Sequence, residues 1–431
     1  MEKSDTLVKH ENTGVGENMN MQKILLSGEK LSLQERTAWF EEMLDSTRKN
    51  QHNFYSRVIN SPSDREVEII DPVNGKPRKM LMFGSNNYLG LANHPYVRET
   101  VKKSISRYGV GIGGPPLLNG YSILMKELEE RLSAFKGSED SLIFSSGFCA
   151  NLGLISGLFV RGDLICFDEL SHASFYDGLK MVRTCKSPFG HNDTAELEAQ
   201  LEQNKRLTGR EAFVCVEGVY SMDGDLAPLD RIFPLCKRYN AHLVIDDAHG
   251  TGVIGKHGGG AIEHFGLNAG EEIVMGTFSK AFAVTGGFIS ASKPVINYLR
   301  YFARTYMFSA SLPPISISAI LAGLDVIGNE PERRIKLHEN IRYATTKLQP
   351  YGLIGQPAAG IISLKVPEKI NIRKASALFH NAGIFINTIE YPAVPLTSQR
   401  FRISLMSDHT RADIDKLASC VEETWSKYME T

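Results

Sequence analysis

No two of the six cysteines, Cys149, Cys166, Cys185, Cys215, Cys236 and Cys420, stand at CxxC spacing. A zinc site or a disulfide framework therefore has no support from spacing, and dispersed reduced thiols point to a cytoplasmic protein. Net charge is nearly absent too, −1 from 48 Lys+Arg and 49 Asp+Glu, which argues against a nucleic-acid binder steered by bulk charge. Long hydrophobic runs are missing. The longest apolar stretch, Gly147 to Val160, is too short and too interrupted to span a bilayer. The opening MEKSDTLVKHENTGVGENMN lacks the apolar centre of a signal peptide, so secretion is not expected. Attachment at a membrane surface stays open. No GxxxxGKS or GxxxxGKT occurs, which removes the P-loop, and no internal repeat or low-complexity tract is present.

What is there is room. At 431 residues the chain suggests two or three domains at ~150 residues each. With 23% charged and 42% hydrophobic residues it has the composition of a globular enzyme rather than of a disordered chain. Its 38 glycines, about 9% against a usual ~7%, suggest close backbone approach at several places.

Residues up to about 30 read as a flexible extension. In LQERTAWFEEMLDSTRK the apolar residues Ala38, Trp39, Phe40, Met43 and Leu44 predict one amphipathic helix. VEIIDPVNGKPRKMLMF predicts a hairpin turning at Asn74-Gly75. From about 81 to 310 short apolar runs alternate with helical stretches, as in SLIFSS, DLICFD, AFVCVEG, HLVIDD and EEIVMGTFSK. Such alternation predicts right-handed βαβ units and a mostly parallel sheet, with functional groups at strand C-terminal ends. After SLPP, the segment ISISAILAGLDVI predicts a helix leading into a smaller C-terminal α/β part with the strands GIISLKV and FRISL. The division is 1–80 for the N-terminal arm, 81–315 for a large domain and 316–431 for a small one.

Gly109-Val110-Gly111-Ile112-Gly113-Gly114 matches GxGxxG, and Glu129 lies at the distance of a ribose-binding acid. The context fails, because a dinucleotide fingerprint follows a strand and VRETVKKSISRY is a polar helical stretch. A loop with close backbone approach is the better account. HLVIDDAHGTGVIG places Asp246, Asp247 and His249 just past a buried strand. Two carboxylates and one imidazole fall short of the three or four protein ligands of a zinc centre, so no metal is expected. A capping Asp and a solvated His would be the default were these residues alone. But EEIVMGTFSK ends in Thr277, Ser279 and Lys280. A lysine beyond a strand is ordinarily solvated, yet its amine also condenses with aldehydes and loses its proton readily on burial. FSSGFCANLG adds a strand, a turn and a helix N-terminus, whose free N–H groups suit a phosphate. An aldehyde-capturing lysine, a strand-end aspartate and a phosphate cradle are the three handles of pyridoxal 5′-phosphate (PLP).

GSNNYLGLANHP, FSSGFCAN, DELSHASFYDG, VEGVYSMDGD, VIDDAHGTGVIG, MGTFSKAFAVTGGF and FRISLMSDHT follow one another in the order and spacing of the α-oxoamine synthases. From about Gly84 to its C-terminus the chain closely resembles that family of fold-type I PLP enzymes. The resemblance implies a homodimer with a shared site and assigns roles residue by residue. Lys280 matches the Schiff-base lysine, which also moves the substrate Cα proton. Asp246 matches the partner of the pyridine nitrogen, keeping the ring protonated as an electron sink. His249 and Ser221 match residues near the phenolic oxygen, and His172 the imidazole stacked on the ring. Gly147, Phe148, Thr277 and Ser279 fall at the phosphate end, where Ser309 is expected to reach in from the other subunit. Asn87 and Arg402 match groups holding the amino-acid carboxylate, where a guanidinium forms a bidentate pair. Arg400 lies two positions away on the same strand face, and only the resemblance chooses between the two arginines.

The implied chemistry is a decarboxylative Claisen condensation of a small amino acid with an acyl thioester. LLNGY, TFSKAF and VEGVYSM lean toward the serine palmitoyltransferase branch of sphingolipid synthesis. The acceptor stays open among serine, cysteate, alanine and glycine, and the donor between acyl-CoA and an acyl carrier protein. An 8-amino-7-oxononanoate synthase of biotin synthesis is the second reading. A catalytically silent scaffold subunit is the third, and it conflicts with the presence of Lys280, Asp246, His172 and His249. One departure stands out: where relatives often place an Arg or His after the glycine-rich turn, this chain has Pro115 and Pro116, which stiffen it.

Overall fold

The computed structural model describes residues 31–49, 54–267, 270, 272–391 and 393–429; the expected extension over residues 1–30 lies outside them. The amphipathic pattern forms the helix Leu33–Lys49, which buries Met43. β1 (Val58–Ile59), β2 (Glu66–Ile70) and β3 (Pro77–Met82) follow, β1 antiparallel to β2 and β2 antiparallel to β3. The β2–β3 hairpin turns at Gly75, whose φ of 70° favours a residue without Cβ.

The middle of the chain builds β4 (Asp140–Phe144), β5 (Leu164–Asp168), β6 (Cys185–Phe189), β7 (Ala212–Glu217), β8 (Ala241–Asp246), β9 (Ile273–Thr277) and β10 (Gly287–Ala291). They form one sheet in the order β4-β10-β9-β8-β7-β5-β6. Pairing is parallel from β9 through β6, while β10 runs antiparallel to both β4 and β9. The expected mostly parallel sheet is present. β6 and β10 are additions, because CKSPF reads as an exposed polar segment and GFISA is short and opens on glycines. Pro188 is tolerated in β6 because that strand is an edge.

Both faces of the sheet are covered, and the alternation along β7 shows how. Ala212, Val214 and Val216 enter one apolar core, and Phe213 and Cys215 enter the other. Burial on both faces is why such strands read as unbroken apolar runs. Their polar residues are left at the C-terminal ends, where Glu217 and Asp246 pair side by side.

The C-terminal part begins with the expected helix, Pro314–Asn329, buried along most of its length. It contributes β11 (Leu353–Ile354), β12 (Ile361–Lys365), β13 (Ile384–Phe385), β14 (Asn387–Ile389) and β15 (Arg400–Ser404), with an antiparallel sheet ordered β11-β12-β15-β14. β13 instead joins β3 in parallel, and the Ser404 amide donates to the carbonyl of Phe83. The N-terminal hairpin and the C-terminal sheet are thereby tied together, which brings residues 83–88 and 400–404 to one place. Among the described residues no helix is long and apolar enough to cross a membrane.

Candidate active site

The ends of β7, β8 and β9 lie in register, Glu217 beside Asp246 and Asp246 beside Met275, so the residues just past them converge. Lys280 follows β9 in a tight turn in which the Ala283 amide donates to the Lys280 carbonyl at 2.9 Å. Ala283 takes φ 55°, a left-handed conformation rare for a residue with Cβ and characteristic of over-determined sites. Burial lowers the Lys280 amine to about 8, against the opposing pull of the Asp246 and Glu217 carboxylates. A lysine in that range is partly neutral near physiological pH, and a neutral amine is nucleophilic.

Asp246 is held from behind. Asn151, on the helix Gly147–Leu158, donates one amide N–H to Asp246 Oδ2 at 2.8 Å and the other to Ser174 Oγ at 2.9 Å. The Ala248 amide donates to Oδ1. Ser174 continues the chain to His172: both its hydroxyl, at 2.8 Å, and its amide, at 3.2 Å, approach Nδ1. An Nδ1 that accepts leaves the proton of the neutral ring on Nε2. Burial and the nearby Lys280 lower the His172 pKa while Asp246 raises it, and lowering wins. Asp247 turns the other way. It takes a buried ion pair from Lys136 at 2.7 Å and hydrogen bonds from Thr251 Oγ1 and the Ala261 amide, fixing the loop that carries His249.

His249 is buried, and its pKa falls well below the ordinary range, first through burial and then through the charges of Lys280 and Arg402. Its Nδ1 meets the hydroxyl of buried Tyr88 at 2.7 Å. Arg402, on β15, donates from Nε to the Ser221 carbonyl at 2.7 Å and from Nη1 to Asn86 Oδ1 at 3.1 Å. Arg400 is held by Asp223 instead. Of the two arginines that the strand pattern leaves open, Arg402 is the one whose charge acts on His249 and Lys280.

One expected residue is displaced. Asn87 was assigned to the substrate carboxylate, but it is buried, with Nδ2 directed at the Ser63 carbonyl and Oδ1 accepting from the Ala92 amide. Both ends of its amide are used by the fold, and the neighbouring, half-buried Asn86 stands against Arg402. In a turn where successive side chains diverge, the doublet Asn86-Asn87 does not reveal which member faces the site. Tyr88, Asn151 and Glu217 are further members that sequence reasoning missed. All three lie inside quoted motifs, and Tyr88 and Asn151 act through partners distant in sequence.

The residues expected at the phosphate end lie where the helix Gly147–Leu158 starts and β9 stops. Ser146 caps the helix Gly147–Leu158 by accepting from the Cys149 amide, which leaves Gly147 and the exposed Phe148 in the first turn. A Cβ on Gly147 would press on Thr277 at 2.8 Å, so the helix start and the end of β9 touch only because glycine is there. Thr277 donates to the Gly286 carbonyl and accepts from the Ser279 amide. Ser221 donates its amide to Glu217. Ser309, expected to act across a subunit boundary, has no side-chain hydrogen bond to the cluster among the described residues. Elsewhere His191, Asp223 and Asp225 approach one another as metal ligands would. There both imidazole nitrogens are hydrogen-bonded to Asp168 and Asp225, and Asp223 holds Arg400.

Residues 78–421 match the aminotransferase class I and II family. A serine palmitoyltransferase of Sphingobacterium spiritivorum is 38% identical over 90% of this chain and 95% of its own length. The chain belongs to the α-oxoamine synthases. An 8-amino-7-oxononanoate synthase of Lysinibacillus sphaericus is 39% identical over 85% of this chain and 92% of its own. Among solved structures, a serine palmitoyltransferase from S. paucimobilis with a bound PLP–myriocin aldimine aligns with a TM-score of 0.83 and 28% identity, covering 94% of this chain and 100% of that one. The family cofactor is PLP, and the residues of this α-oxoamine synthase fit it: a buried amine with a lowered pKa, a carboxylate braced by Asn151, and a capped helix start packed on Thr277.

Proposed function

We propose that this α-oxoamine synthase condenses a small amino acid, serine or a close analogue such as cysteate, alanine or glycine, with a long-chain acyl thioester. The products are an α-amino ketone, CO2 and free thiol. The observation that carries the reading is the convergence of Lys280, Asp246, His172, His249 and Arg402 from the ends of β9, β8 and β5 and from β15.

PLP supplies an aldehyde for the lysine amine and a ring that takes up the electron pair left at the amino-acid Cα. Asp246, held in place by Asn151, would pair with the pyridine nitrogen of PLP. His172 presents its ring to the cofactor face with Nδ1 tied to Ser174, and His249 offers a neutral imidazole to the phenolic oxygen. The first turn at Gly147 and Phe148, beside Thr277 and Ser279, would hold the phosphate. Arg402, with Asn86 beside it, would hold the amino-acid carboxylate and so orient the bonds at Cα. The Lys280 amine, lowered to about 8, takes and returns the Cα proton.

The reading includes a dimer whose partner supplies Ser309 and a cytoplasmic location, in keeping with cysteines that are all free. Val110, Leu118, Ile123 and Phe308, each exposed, support an apolar contact surface near the glycine-rich loop. It also includes the partition into residues 1–80, 81–315 and 316–431, supported by a seven-stranded sheet confined to the second segment and the sheet of β11, β12, β15 and β14 confined to the third. The loop at Pro115-Pro116 runs into a π-type turn, Pro116–Gly120, and the Gly114 carbonyl accepts from the Ser311 amide, so this rim is held in shape.

The second reading, condensation of alanine with a pimeloyl thioester, is supported by the Lysinibacillus relative. A matrix of serine, cysteate, alanine and glycine against long-chain and pimeloyl donors, on CoA and on a carrier protein, separates the two by thiol release. Silence across the whole matrix would sink both.

A further inference from the structure

Glu217 is a buried carboxylate at the strand ends to which no catalytic step has been given. It closes β7, is 3% exposed, and lies in register beside Asp246. Its Oε2 accepts the Ser221 amide at 2.9 Å, while its Oε1 is buried with no hydrogen-bond partner. The Ser221 carbonyl in turn accepts Arg402 Nε at 2.7 Å. The donor and the acceptor belong to the same residue, so whatever fixes the Ser221 amide also fixes the oxygen on which Arg402 rests.

We propose that Glu217 is a positioning residue for the amino-acid carboxylate: it acts as a neutral carboxylic acid that latches the Ser221 turn to the end of β7 and thereby orients Arg402. The inference rests on the reading of Arg402 as the carboxylate-binding group.

Neutrality follows from the surroundings. A buried carboxylate needs several donors to replace its water, and Glu217 has one amide. The charged and titratable groups facing it are Asp246 on β8, Asp168 on β5, Tyr220 in its own turn and Lys280 after β9. Two of these are carboxylates, whose charge adds to the cost of ionising a third. Burial pushes the Glu217 acid well above the usual carboxylate range, with Asp246 pushing the same way and Lys280 opposing. A protonated acid still accepts an amide through its carbonyl oxygen. A neutral Glu217 then adds no second charge beside Asp246, the carboxylate that would face the ring nitrogen.

The test uses purified holoenzyme, wild type and two variants, with L-serine, L-alanine and glycine as probes. Amino-acid affinity is read from the change in cofactor absorbance, and the pH titration of the visible band is read separately. Glu217→Gln keeps the oxygen that receives Ser221 and carries no charge. Its titration midpoint should stay within ~0.3 pH unit of wild type and its affinity within about 3-fold. Glu217→Ala removes the latch, and affinity should fall about 5- to 10-fold while kcat at saturating amino acid stays within about 3-fold. A midpoint displaced by about one unit or more in Glu217→Gln would mean the glutamate is charged and would overturn the proposal. Unchanged affinity in Glu217→Ala would overturn it as well. If Glu217→Ala does not fold, Glu217→Gln alone decides, since a charged glutamate cannot be replaced silently. A wild-type holoenzyme that responds to none of the amino acids would instead overturn the reading of Arg402, and this inference with it.

Discussion

The hydroxyl of Tyr88 stands 2.7 Å from Nδ1 of His249 and 3.2 Å from Oδ1 of Asn86, so it links the imidazole at the cofactor to the asparagine that braces Arg402. Asn86 Oδ1 can only accept, so the hydroxyl gives its one proton there and its oxygen receives the Nδ1–H of neutral His249. The second ring nitrogen of His249, Nε2, is then left without a proton. Tyr88→Phe removes that control and leaves a buried nitrogen unpaired, at a cost of about 1–3 kcal/mol. The pH titration of the visible cofactor band should shift, and kcat should fall about 10-fold or more by the same free energy. An unchanged titration would show that Tyr88 does not set the tautomer.

The two arginines of β15 should behave differently. Arg402→Ala removes charge-assisted hydrogen bonds, worth about 1.5–3 kcal/mol, so amino-acid affinity should drop roughly 10- to 100-fold. Arg400→Ala strands Asp223 and should lower the unfolding midpoint while leaving affinity within about 3-fold. Titrating each variant with serine, alongside urea unfolding, separates the two effects.

The asparagine doublet offers a parallel contrast. Asn86→Ala should weaken amino-acid binding about 5-fold through the loss of one partner of Arg402. Asn87→Ala should instead cost about 1 kcal/mol of stability, because its Oδ1 caps the Ala92 amide. Equal losses of affinity in both would return Asn87 to the site.

Lys280→Ala deletes the group that moves the Cα proton, and turnover should fall by ~10²- to 10⁴-fold or more. Thiol release under saturating substrates measures this, with circular dichroism confirming the fold. Exogenous small amines that restore part of the rate would identify the amine itself as the missing element.

Acid should weaken the fold through His409. This ring is fully buried, accepts the Met406 amide at Nδ1, and faces the Met82 carbonyl with Nε2; burial lowers its pKa to about 4. The unfolded chain, at the ordinary ~6.5, takes up the proton first. The stability is therefore present above ~6.5 and is lost as pH falls toward about 4, amounting to about 2 kcal/mol between pH 7 and pH 5. Urea unfolding at the two pH values should show that loss, and His409→Asn should reduce it.

Strand ends, the lysine turn, the helix start at Gly147 and the identity of the cofactor were legible because each is local: an apolar run ending in polar residues states where a parallel strand stops. Lys280, Asp246, His172 and His249 lie within such local words, and the structure gathers them. β10 was not legible, because GFISA becomes a strand only through pairing on both sides with β4 and β9. Direction within a turn was equally closed to the sequence. Asn86 and Asn87 are chemically identical neighbours, and Arg400 and Arg402 share a strand face; what separates them is Ser221, Asp223 and Ala92 arriving from elsewhere in the chain or the turn.

By itself, then, the sequence determined the kinds of chemistry present, since residue type sets what an amine, an imidazole or a carboxylate can do and local pattern sets which element bears it. Tertiary structure alone decided which copies of those groups act. Partner choice and charge state depend on distance and burial, and long-range packing creates both: Glu217 lies beside Asp246, Arg402 rests on the Ser221 carbonyl and the Lys280 amine falls to about 8 only when β7, β8, β9 and β15 are brought together.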